Sequence, residues 1–91
     1  MKPKPKRILV INDEAGFLDQ FKRWLTYYGY ETVTAESGET GVSLLKEKLF
    51  DLVFLDYNLK KEKDGIKTAT NFIPQIRKIN ASLPIVVTSA T

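Results

Sequence analysis

Two aspartates in this sequence stand where a carboxylate can do chemistry. Asp56 closes the apolar run DLVFLD, and Asp13 follows the apolar run RILVIN. A carboxylate oxygen is a hard ligand for a cation such as magnesium, and it can act as a nucleophile toward phosphorus. Neighbouring strands lie about 4.8 Å apart, so carboxylates at adjacent strand ends can share one ion. Magnesium there would offset the repulsion between Asp13 and Asp56 and neutralise charge on a transferring phosphoryl group. Asp56 could then form an aspartyl phosphate, with the Ser89 hydroxyl donating a hydrogen bond to a phosphoryl oxygen. Each residue also has an ordinary role. An aspartate after an apolar strand is usually a loop starter or cap, and Ser89 alone is a strand-end hydroxyl. Two such aspartates on adjacent strands are harder to dismiss.

The surrounding sequence supplies elements able to position them. Residues 7–12, RILVIN, and 51–56, DLVFLD, are continuous apolar runs of the kind buried on both faces of a sheet. Residues 84–88, PIVVT, form a further apolar strand, and 30–35, YETVTA, form a strand of alternating character. Residues 14–28 carry Phe17, Leu18, Phe21, Trp24, Leu25 and Tyr28 at helical steps, read as a core-facing stripe, with Asp13 as N-cap and Gly29 as C′ residue. A second helix follows an N-cap at Ser37, with Val42, Leu44, Leu45 and Leu49 on its apolar side and Gly38 and Gly41 loosening its first turn. After a polar stretch over 57–65, a third helix is expected from Ile66 to about Asn80, kinked or restarted at Pro74. The order β-α-β-α-β-α-β implies one α/β domain with an open parallel sheet. Ligands of such sheets bind beyond the carboxyl ends of the strands, where Asn12, Asp13, Asp56 and Ser89 stand.

Composition narrows the functions. The chain has 91 residues, 43% of them hydrophobic, enough for a small core. Neither cysteine nor histidine occurs, which excludes disulfides, cysteine zinc sites and a Ser-His-Asp triad. No apolar run approaches a membrane span of about 20 residues, so a cytoplasmic protein without membrane contact is expected. The net charge is +3, but Lys2, Lys4, Lys6 and Arg7 supply four positive charges at the start. Without them 10 basic residues face 11 acidic ones, so direct nucleic-acid binding is not expected. Residues 1–6 read as a basic flexible leader and 7–91 as the folded unit.

Four segments together carry a resemblance to the receiver domains of two-component response regulators. ILVINDE resembles their first strand and acidic cluster, and YETVTAESGETGVSLL their second strand and helix. DLVFLDYNL resembles the third strand with its phosphoacceptor, and LPIVVTSA the fourth strand with its hydroxyl residue. The resemblance implies a flavodoxin-like, CheY-like topology. It also implies phosphoryl transfer from a histidine kinase or phosphotransfer protein onto Asp56, with Mg2+ as cofactor. Asp13, Asp56 and the backbone carbonyl of Asn58 would bind the metal. Asn12 and Glu14 would complete the acidic pocket, and Ser89 would be the switch hydroxyl. The implied activity is that of a signalling receiver, with at most self-phosphorylation and self-dephosphorylation, rather than an enzyme turning over a separate substrate.

The departures are specific. Asn12 stands where the family usually has another acid, and Lys60 where it usually has proline. The stretch from Asp56 to Gly65 is a residue longer than usual. Family members continue through a fourth helix, a fifth strand with a phosphoryl-contacting lysine, and a fifth helix, none of which this sequence matches. An incomplete receiver is the expectation, with PIVVT an exposed edge and self-association through it. The alternative is a non-catalytic interaction or assembly fragment that keeps the fold without the switch. A phosphatase of the haloacid dehalogenase class would want a second aspartate where Asn58 stands, and no glycine-rich turn follows the first strand for a dinucleotide.

Overall fold

The computed structural model describes residues 4–62 and 65–88, with the side chains of 60–62, Gly65 and Ile66 left out of the description. Apolar runs become parallel strands because helices cover both faces of the sheet. The elements are β1 (Arg7–Ile11), α1 (Ala15–Tyr27), β2 (Glu31–Ala35), α2 (Gly38–Glu47), β3 (Leu52–Asp56), β4 (Asn58–Glu62), β5 (Gly65–Thr68), α3 (Ala69–Ile79) and β6 (Ile85–Thr88). The main sheet has the order β2-β1-β3-β6, all pairs parallel, and β4 and β5 form a separate antiparallel pair. The expected α/β architecture is present. The β4–β5 hairpin is new: its polar, lysine-rich sequence reads as a loop, because a two-stranded ribbon needs no apolar face.

Strand alternation divides the core in two. Leu9, Ile11, Val53 and Leu55 pack with Val42 and Leu45 of α2 and Phe72 and Ile76 of α3. Ile8 and Val10 pack with Leu18 and Leu25 of α1 on the opposite face. Each fully buried Leu, Ile or Val contributes about 1.5–3 kcal/mol relative to an exposed one. Register then places the site. Ile11 pairs with Leu55, so Asn12 and Asp56 lie side by side where β1 and β3 end.

Several local expectations need correcting. The α1 stripe is not all core: Leu18 and Leu25 are buried, whereas Phe17, Trp24 and Tyr28 are 41%, 58% and 63% exposed. Only one narrow face of α1 meets the sheet, and the aromatics lie to the side of it. Its N-cap is Glu14, not Asp13, and no side chain caps it. Its far end follows the expected glycine. Gly29 has φ 92°, Tyr30 N–H donates to the Leu25 carbonyl and Gly29 N–H to the Thr26 carbonyl, a Schellman ending.

In α2 the Ser37 side chain accepts from Thr40 N–H at 3.1 Å, as an N-cap should. Its glycines permit close approach: a Cβ on Gly38 would lie 2.3 Å from the Phe72 ring, and one on Gly41 2.3 Å from Ile11 Cδ1. Leu49 lies beyond the helix and is 86% exposed; Phe50 takes the buried position. The third helix starts at Ala69, because 65–68 extend as β5, and it runs unbroken through Pro74 to Ile79. Proline removes the amide that would bond the Thr70 carbonyl, but Thr70 and Pro74 are both exposed and water can serve that carbonyl.

Candidate functional site

A cleft of 410 Å³ opens at the carboxyl ends of β1, β3 and β6, lined by Asn12, Asp13, Glu14, Phe17, Asp56, Asn58 and Thr88. It gathers five of the six residues singled out in the sequence. Ser89, the sixth, lies outside the described residues. Thr88, which sequence reading passed over, pairs with Asp56 in register, and its carbonyl accepts from Tyr57 N–H at 2.7 Å. Its only sequence signal was its place at a strand end.

Asn12 and Asp56 are 7% and 5% exposed, while Asp13 is half-buried and Glu14 exposed. The Asn12 side-chain oxygen accepts from Glu14 N–H at 2.9 Å, and Asn12 N–H donates to the Ala35 carbonyl at 3.0 Å. This turn starts α1 and leaves Asp13 at the cleft. Asn12 thus serves the backbone in the place where a third carboxylate could stand.

The Asp56 carboxyl is pushed above its ordinary value of 3.8 by burial and then by the Asp13 charge, with Glu14 adding a smaller push. Hydrogen bonds from the backbone N–H groups of Tyr57 and Asn58 pull it back. The native protein therefore holds the Asp56 proton more tightly than the unfolded chain does. Without added metal, the contribution of Asp56 to stability should fall as pH rises from 3.8 through the raised native value. Asp56→Asn should be more stable than the wild type at neutral pH, and the gap should close below 3.8. Urea unfolding at several pH values reads this; an Asn variant less stable at neutral pH would contradict it.

The donor set fits a hard divalent cation. Two carboxylates and a backbone carbonyl are all oxygen, and a cation would relieve the repulsion that raises Asp56. Among the described residues there is no cluster of three or more His, Cys, Asp or Glu side chains arranged to hold a metal by themselves. Waters and a backbone group must therefore supply part of any coordination, the manner in which magnesium is usually held.

Sheet order and strand-end carboxylates define a receiver, and the chain belongs to the response regulator receiver domain family, whose model matches residues 8–91. It is similar to the transcriptional regulatory protein GlrR of Escherichia coli (strain K12), 33% identical over 90 residues, which cover 99% of this chain and 19% of that protein. The chain thus spans about a fifth of that regulator's length. Among solved structures, a CheY-like receiver domain protein from Methanospirillum hungatei superposes with a TM-score of 0.85 at 23% identity, over 96% of this chain and 66% of that one. The response regulator TrrA from Thermotoga maritima, solved in complex with Mg(2+)-BeF, gives 0.82 at 31% identity, over 94% and 70%. The protein is a receiver domain of a two-component response regulator. Among the described residues no helix is long and apolar enough to cross a membrane.

Proposed function

We propose that Asp56 accepts a phosphoryl group from a phosphohistidine of a histidine kinase or phosphotransfer protein. The observation that carries this is the meeting of Asp13, Asp56 and Asn58 in one cleft at the carboxyl ends of β1 and β3. A carboxylate oxygen of Asp56 bonds to phosphorus as the phosphorus–nitrogen bond of the donor breaks, and the electron pair leaves with the imidazole. Asp13, Asp56 and the Asn58 backbone carbonyl would hold Mg2+. When bound, that ion supplies positive charge against the phosphoryl oxygens and against the Asp13–Asp56 repulsion. The Mg(2+)-BeF complex of TrrA supports the same ligand chemistry here. Asn12 and Glu14 shape the pocket, Ser89 is the switch hydroxyl, residues 1–6 form the leader and 7–91 the receiver unit. Such a protein works in the cytoplasm as a signalling domain, not as an enzyme with its own substrate.

Intact-protein mass after incubation with magnesium and a small-molecule phosphodonor tests this. One phosphoryl adduct on the wild type and none on Asp56→Asn is expected. A folded wild type that takes no adduct would favour a non-catalytic interaction fragment instead.

Self-association belongs to the same reading. β6 is an edge strand, with Val86 and Val87 43% and 44% exposed. Val86 lies beside Phe54 in register, Phe54 meets Phe21 at 5.2 Å, and Phe21 lies 6.2 Å from Trp24. Among the described residues an apolar strip therefore runs from α1 to the β6 edge of the sheet, the kind of surface that pairs with another chain. Light scattering should report a dimer or larger species; a monomer at high concentration would refute this.

A further inference from the structure

The peptide between Tyr57 and Asn58 is the hinge of the cleft. Its carbonyl end is held: Tyr57 C=O accepts from Ala69 N–H at 2.8 Å. A peptide bond is planar and trans, so the Asn58 N–H of the same unit must point the opposite way. Asn58 pairs with Thr68 across the β4–β5 ribbon. In an antiparallel ladder, a bond joining the residues just outside a pair leaves that pair's own N–H and C=O groups facing away from each other. Along an extended strand those two groups lie on one side. The Asn58 N–H does bond the Asp56 carboxyl, which places that side of the strand, and with it the Asn58 carbonyl, toward Asp56.

What holds Ala69 is the start of α3. Thr68 is its N-cap, and a capping box closes it: Thr68 N–H donates to Asn71 Oδ1 at 2.8 Å, and the Thr68 side chain accepts from the Asn71 backbone N–H. Asn71 is exposed and does not line the cleft. We infer that Thr68 and Asn71 are positioning residues for the carboxylate cleft, because their capping box fixes Ala69 N–H on Tyr57 C=O and so aims the Asn58 carbonyl at Asp13 and Asp56. This rests on the reading that the Asn58 carbonyl ligates the divalent cation. The ribbon and α3 then act as one support: a surface capping interaction sets the geometry of a metal ligand it never touches.

Calorimetric titration of Mg2+ into the intact chain, with no phosphodonor present, tests the inference. Asn71→Ala should weaken binding about tenfold, as loss of a ligand's support commonly does. Asn71→Asp keeps the acceptor for Thr68 N–H and should bind like the wild type. Ser37→Ala removes a comparable cap from α2 and serves as a control for general loosening; it should leave Mg2+ affinity unchanged. Wild-type affinity in Asn71→Ala, or an equal loss in Ser37→Ala, would overturn the inference. A wild type that binds no Mg2+, or binding indifferent to Asp13→Asn, would instead sink the metal reading beneath it, and the inference with it.

Discussion

Asp13→Asn should weaken magnesium binding about tenfold or more, and Asn12→Asp should strengthen it. Both effects follow from charge in a half-buried cleft. Two unit charges 4 Å apart interact by about 4 kcal/mol at the effective dielectric of a protein surface. Solvent access to Asp13 reduces that, yet about half of it already exceeds the roughly 1.4 kcal/mol of a tenfold change. In the proposed site Asn58 would offer only a carbonyl dipole, so Asp13 and Asp56 would supply most of the charge facing a cation. Asn12→Asp adds a carboxylate to the same cleft. An aspartate keeps the oxygen that accepts from Glu14 N–H, so the turn that starts α1 survives. In the absence of metal, Asn12→Asp should also raise the Asp56 carboxyl further and lower stability at neutral pH. Calorimetry on both variants reads the two signs at once. Equal affinities in wild type, Asp13→Asn and Asn12→Asp would show that the cation, if bound, sits elsewhere.

Ile76→Ala should cost about 2–5 kcal/mol of folding stability, the range for an isoleucine truncated in a packed interior. Ile76 is 0% exposed, in the same cluster as Phe72, Leu55 and Val53. Its helix is held on one side by Gly38, whose absent side chain leaves room for the Phe72 ring, so the region has little freedom to collapse around a void. A domain of this size has about 5–15 kcal/mol in total, so the variant should unfold at much lower urea. It should also lose phosphoryl acceptance at temperatures where the wild type is folded, because α3 supports the ribbon base beside Asp56. A loss under 1 kcal/mol would mean that the α3 packing is looser than described.

The order of the four main-sheet strands and the three helices was legible, in part because burial on both faces writes continuous apolar runs such as RILVI and LVFLD. Polar residues that end those runs marked the cleft for the same reason: a strand stops where its side chains must meet water or a ligand. The Gly29 ending and the Ser37 cap were legible too, since each rests on one residue's own conformational or hydrogen-bonding preference.

What the sequence could not supply depended on contacts between elements. The helical spacing of Phe17, Trp24 and Tyr28 states that they share a side of α1, not whether the sheet covers that side. The LKKEKDGIKT stretch has no apolar period, so its ribbon is set by the Asn58–Thr68 pairing and by Lys67 on β5 reaching Glu39 of α2 at 2.8 Å. Asp13 and Asp56 were nameable as candidates from strand ends alone. Their shared cleft and the burial that raises Asp56 needed the β1–β3 register, and the bond from Ala69 N–H to the Tyr57 carbonyl needed the start of α3, contacts that join residues far apart in the chain. Local preference is written residue by residue; electrostatic coupling and the aim of a backbone group are properties of the packed whole.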